Sequence, residues 1–157
     1  MSARRARRRP GENRERLIEA GLTEFGLFGF HGASTAAIAA RADVPQPHVY
    51  ANFANKQALF LETCAAATRI VITGEAPGSG ELPTDRARAY SRSGAKALLA
   101  DAERTVLQAL AVVCAPQLTG DLLPLLVDFR DAFGESDFAE AYGAAGVAMI
   151  ERALGRE

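Results

Sequence analysis

Cysteine and histidine are both scarce in this 157-residue chain, with two of each. Cys64 and Cys114 form no C-x-x-C pair and are too few for a disulfide scaffold, which fits a reducing cytoplasm. A four-ligand metal site would have to consume both cysteines together with His31 and His48 from distant segments, so no metal is expected. Long apolar runs are missing too. The best stretch, Val106 to Ala115, is far shorter than the roughly 18 residues of a bilayer span and contains Gln108, so no membrane association is expected. The Arg-rich start leads into Pro10, Gly11, Glu12 and Glu15 with no apolar segment behind it, unlike a secretory signal. There is no Gly-rich phosphate loop, nucleophile motif or recognisable carboxylate pair, and neither histidine has an evident partner, with His31 read as a loop residue. Neither catalysis nor a cofactor is expected.

What remains is ordinary globular composition, 48% hydrophobic and 24% charged, in a length that suits one domain or a small two-lobed arrangement. The net charge of -1 conceals an asymmetry. Residues 1–56 hold nine Lys and Arg against five Asp and Glu, for +4, whereas residues 57–157 carry -5. The basic part is the place to look for a polyanion. Within it, Arg4, Arg5, Arg7, Arg8 and Arg9 form a self-repelling, apolar-poor run. It reads either as a solvated tail or as a flexible arm for DNA phosphates or a minor groove.

Apolar spacings of three and four recur along the chain, and sustained alternation is missing, so an all-α fold is expected. Leu17, Ile18, Leu22, Phe25 and Phe28 mark one face of a first helix, from near Asn13 to the crowd of Gly26, Gly29 and Gly32. Ser34 or Thr35 caps a short second helix whose Ile38, Ala39 and Ala42 face inward. Pro47 opens a third helix running to about Phe53. A fourth starts at Asn55 and carries Leu59, Phe60, Cys64, Ala67, Ile70 and Val71 inside. Residues 73–84, rich in Gly and Pro, form a joint. Beyond it, helices are expected near 84–100, 102–115, 120–134 and 137–155, separated by Pro116, Gly120 and Gly134.

Residues 34–56, STAAIAARADVPQPHVYANFANK, have helix-turn-helix organisation, with Asp43 taking the left-handed position of the bend and Val44 its buried contact. The following helix has Val49 and Phe53 as apolar anchors one turn apart and leaves Gln46, His48, Tyr50, Asn52 and Lys56 outside. Gln and Asn pair bidentately with adenine edges, His48 can donate to a base or phosphate, and Tyr50 and Lys56 suit phosphate oxygens. The free N–H groups at the helix starts of Thr35 and Pro47 add positive potential.

Over residues 14 to about 64 the chain resembles the tetracycline-repressor (TetR) family of one-component bacterial transcription regulators. The resemblance is carried by Ala20, Phe25, Gly29, Phe30, Ser34, Ile38, Ala39, Ala42, Val44, Tyr50, Phe53, Lys56 and Leu59. It implies that Gln46, Pro47, His48, Tyr50, Ala51 and Asn52 occupy the recognition helix and its edges. Ser34 and Thr35 then start the supporting helix beside the DNA backbone, and Lys56 is a phosphate clamp. Two positions depart from the pattern: Asp43 stands where Gly is usual and Pro45 where a capping Ser is usual, giving a stiffer turn and a less well capped third helix.

The resulting expectation is a disordered basic arm over 1–12, a DNA-binding domain over 13–56, a connecting helix and loop over 57–83, and a helical effector and dimerisation domain over 84–157. Leu107, Leu110, Val113, Cys114, Leu126, Phe129 and Phe133 either line a cavity for a small apolar effector or are plain core. The stripe Phe138, Tyr142, Ala145, Gly146, Met149 and Ile150 is either core or a dimer seam. The resemblance implies a cytoplasmic homodimer, joined through its C-terminal helices, that binds a pseudo-palindromic operator in double-stranded DNA and acts as a repressor released by an effector. The alternative is a helical adaptor or ligand-sequestering module with a vestigial reading helix.

Overall fold

The structure, a computed structural model, is described over residues 11–75 and 92–143. The arginines at positions 4–9, most of the Gly/Pro-rich joint, and Ala145, Gly146, Met149 and Ile150 lie outside those residues. Every regular element among the described residues is an α-helix. Two compact units divide the chain at Val112/Val113.

In the first unit, α1 spans Glu12–Gly32, α2 Thr35–Arg41, α3 Pro47–Asn52, α4 Lys56–Thr73 and α5 Arg92–Val112. Local chemistry sets the boundaries. Glu12 and Glu15 lie in the first turn of α1, where the helix dipole favours negative charge. Ser34 Oγ accepts from the Ala37 amide at 3.0 Å and Asn55 Oδ1 from the Ala58 amide at 2.8 Å, capping α2 and α4. Helices α1, α4 and α5 pack together, and α2 and α3 rest on α1. Their core contains Leu17, Leu22, Phe25, Ile38, Val49, Leu59, Phe60 and Val106, none more than 0% exposed. The Phe60 ring lies 5.0 Å from that of Phe25, edge to face, and 5.1 Å from that of Phe30, tilted, so aromatic contacts join α4 to α1.

Three expectations for the first unit are corrected. Phe28 does not face inward and is 56% exposed. At this end α1 turns its buried Gly26 and Gly29 toward α5. A Cβ on Gly26 would stand 3.2 Å from Cβ of Arg104, and one on Gly29 would stand 2.8 Å from Oε1 of Gln108. Close approach through bare backbone replaces a phenylalanine contact. Gly29 also has φ 68° and ψ 179°, a conformation essentially confined to glycine, and bends α1 without ending it. His31 consequently belongs to the last turn of α1, not to a loop.

The third correction concerns the predicted break near residue 101, because α5 is continuous there. Asp101 is held in the helix by accepting from Thr23 Oγ1 at 2.6 Å and by pairing with Arg104. Thr105 Oγ1 lies 2.9 Å from the carbonyl oxygens of Leu22 and Asp101, which satisfies a hydroxyl that would otherwise be costly to bury.

The second unit contains α6, Pro116–Phe133, and a helical segment over 135–143 that we label α7. Pro116 and Gly120 do not separate helices as expected. Pro116 occupies the first turn of α6, where its missing N–H costs nothing, and Gly120 lies within the helix. Leu118, Leu122, Leu126 and Phe129 form its buried stripe. Phe129, Phe133, Phe138 and Tyr142 then pack ring against ring, with centroids 4.8 to 6.5 Å apart.

The cysteines differ sharply in environment. Cys64 is buried on α4, where burial pushes its thiol far above the ordinary range, whereas Cys114 is exposed. A thiol reagent is therefore expected to modify one site per native chain quickly, at Cys114, and to reach Cys64 only on unfolding. Mass spectrometry of native and denatured samples checks this, and fast modification of both would contradict the packing of α4.

Candidate nucleic-acid interface

The bend between α2 and α3 is built on Asp43, at φ 51° the one non-glycine residue with positive φ among those described. Asparagine and aspartate tolerate this geometry better than other chiral residues. The turn is closed by the Asp43 amide donating to the Ala40 carbonyl at 3.2 Å and the Val44 amide to that of Ala39 at 3.0 Å. Arg16 on α1 supports it from outside. Its Nη1 donates to the Ala42 carbonyl at 3.3 Å and lies 3.9 Å from Asp43 Oδ2. Arg41 at the end of α2 meets the buried carboxylate of Glu24 at 2.8 Å, fixing α2 to α1. Beside the bend, Arg16, Glu19, Ala20, Thr23, Arg41, Ala42 and Asp43 border an open recess of about 470 Å³.

With Val49 and Phe53 buried at 0% and 3%, α3 is pinned from behind. Gln46, Pro47, His48, Tyr50 and Ala51 are exposed on it. The N-terminus of α3 has no side-chain cap; the Pro45 carbonyl accepts from the His48 amide at 2.9 Å. Asn52 is half-buried. Its Nδ2 donates to the His48 carbonyl at 2.7 Å, so one amide donor is engaged within the helix. Tyr50 Oη and the hydroxyl of buried Thr35 share a hydrogen bond of 3.2 Å, joining α3 to the start of α2. Ser34 is exposed beside it. Lys56, half-buried at the head of α4, donates to the His31 carbonyl at 3.4 Å and sits 5.1 Å over the Phe30 ring. An ammonium has three donors, so this anchor leaves Lys56 capacity for an anionic oxygen.

Sequence reasoning missed four contributors: Asn13, Arg14, Arg16 and Glu24. Asn13 Nδ2 lies 3.3 Å from His48 Nδ1, so the first turn of α1 reaches the exposed ring on α3. Arg14 reaches the end of α3, where Nη1 donates to the Asn52 carbonyl at 2.7 Å. The visible signal was only a polar, charged first turn of α1 preceding Leu17; the contacts join positions far apart in the chain.

The residues considered for an effector cavity fall in different units. Leu107 and Leu110 are half-buried on α5. In the second unit Cys114 is exposed, Phe129 is buried and Phe133 half-buried. No cluster of three or more His, Cys, Asp or Glu suited to a metal occurs among the described residues, and no described helix is long and apolar enough to cross a membrane.

Residues 17–63 match the family described as "Bacterial regulatory proteins, tetR family". A curated relative, the "Uncharacterized HTH-type transcriptional regulator YdgC" of Bacillus subtilis (strain 168), is 41% identical over 51 residues. That stretch covers 32% of this chain and spans 26% of the relative's length. Among solved structures, "Crystal structure of multidrug binding protein EbrR complexed with imidazole" aligns over 98% of this chain and 87% of that one, at 21% identity and a TM-score of 0.45.

Proposed function

We propose, from the match of residues 17–63 to the tetR family of bacterial regulatory proteins, that this chain is a DNA-binding transcription regulator that reads its operator with α3. The observation that carries the reading is the division of α3 itself. Val49 and Phe53 are buried, while Gln46, His48 and Tyr50 stand exposed on a helix narrow enough for a major groove. In this reading Gln46 and His48 contact base edges, with the exposed His48 ring offering a hydrogen bond to a base or phosphate. Asn52 adds its remaining polar atoms. Ser34, Thr35, Tyr50 and Lys56 meet phosphates, with Pro47 and Ala51 in contact at the edge of the groove. The arginines at positions 4–9 add a sequence-independent attraction.

The regulator acts as a cytoplasmic homodimer through its C-terminal helices. It represses transcription by occupying a pseudo-palindromic site until a small apolar effector shifts the balance toward a form that binds DNA less well. Linkage is reciprocal: such an effector is held less tightly by the DNA-bound form. Phe129 and Phe133 already fill space against Phe138 and Tyr142, which supports a core role for these two. Effector release is tested by titrating candidate apolar compounds against the protein–DNA complex.

Selection of bound duplexes from a random pool tests the reading. The expected product is a two-fold symmetric sequence with half-sites about 10 to 10.5 bp apart, or a multiple of that turn. Replacing Gln46 or His48 with alanine is expected to cost about 1–3 kcal/mol and relax preference at one base position per half-site. Changing Lys56 to alanine weakens all duplexes alike. An adaptor with a vestigial helix would enrich no sequence, and equal losses from every substitution would abolish the distinction between readers and clamps.

A further inference from the structure

We infer that Arg14 is a positioning residue for DNA reading, one guanidinium that fixes the C-terminal end of α3 to both α1 and α4. The inference rests on the regulator reading above. From the first turn of α1, Arg14 Nη1 donates to the Asn52 carbonyl at 2.7 Å, Nη2 pairs with Glu62 of α4, and the guanidinium carbon stands 4.6 Å over the Phe53 ring. Three elements thus meet on one side chain.

The need for such a brace follows from the length of α3. Six residues make less than two turns, too few to hold a helix without tertiary support. Its start lacks a side-chain cap, and the carbonyls at its end have no partner within the helix. Val49 and Phe53 fix its depth, but two apolar contacts in line permit a short rod to roll. A bond to the last carbonyl, with a planar cation laid on the Phe53 ring, opposes that roll. Base readout depends on such rotation because side-chain donors must meet base edges at hydrogen-bond distance. Lysine lacks the planar fork that serves a carbonyl, a carboxylate and a ring together. Glu62 faces the same guanidinium, so its charge is answered within the protein and is not the natural partner of a phosphate.

The test uses the full chain with R14Q, R14K and E62Q. Hydrogen exchange without DNA is measured over residues 47–53 and 59–70, together with affinity for the selected duplex and for a random duplex across salt concentrations. R14Q is expected to speed exchange in α3 by about tenfold or more while leaving the α4 core protected. It should weaken the selected duplex by about tenfold and the random duplex by less than about threefold, with the same salt slope. R14K should fall between R14Q and wild type, and E62Q, which keeps the bond to Asn52, should lose less than R14Q. Unchanged exchange in α3 overturns the proposal. So do equal losses on both duplexes with a slope reduced by about 1.8 for a dimer, the mark of a direct phosphate contact. A wild-type chain that selects no duplex overturns the regulator reading, whereas the exchange comparison separately decides whether Arg14 holds α3.

Discussion

Replacing Phe60 with alanine is expected to destabilise the first unit by about 3–5 kcal/mol, the range for removing a buried aromatic ring that neighbours cannot refill. Phe60 is 0% exposed and packs against the rings of both Phe25 and Phe30, so the cavity would open where α4 meets α1. Its neighbours are poorly placed to collapse, because Phe30 also carries Lys56 over its ring and Phe25 is itself buried. Against a typical total stability of about 5–15 kcal/mol, such a loss consumes much of the margin. Denaturant unfolding checks the value through the midpoint at constant slope. A loss below about 1 kcal/mol would mean that the aromatic cluster is not the keystone of the unit.

The second large effect is on salt. Raising the concentration from 50 to 200 mM is expected to weaken DNA binding roughly a thousandfold if six phosphates are neutralised per dimer. The source of that attraction is narrower than the +4 of residues 1–56 implies. Arg14 faces Glu62, Arg16 faces Glu12 and Asp43, and Arg41 faces Glu24. These three arginines serve architecture, which leaves Lys56 and the five arginines at positions 4–9 as the natural polyanion contacts. A chain lacking residues 1–9 should therefore show a shallower log–log slope, by about 1.8 if only one arm arginine per subunit engages a phosphate. An unchanged slope would identify the arm as a passive tail.

Much of the candidate interface was legible because its determinants are local. Ser34 as a cap, Pro47 as a first helical residue, Asp43 in the left-handed bend and the Val49/Phe53 pair all act within one or two turns of chain. Each has a sequence signature that survives into three dimensions. What escaped depends on long-range contacts. Nothing in the neighbourhood of Arg14 points to the Asn52 carbonyl, because a backbone acceptor has no residue-type signature. The exposure of Phe28 was equally hidden. Apolar periodicity assigns the large ring to the interior, whereas α5 comes close enough only along the two glycines beside it. In the second unit Pro116 was read as a stop, although the same fixed φ that ends one helix begins another.

The bend at Gly29 divides α1 into a long shaft and a short terminal piece carrying Phe30 and His31. That piece supplies both the ring beneath the Lys56 ammonium and the carbonyl that receives it. The location of a positive charge at the head of α4 is thus inherited from an achiral residue in another helix. A lesion at that pivot would misplace the lysine while leaving the lysine itself untouched.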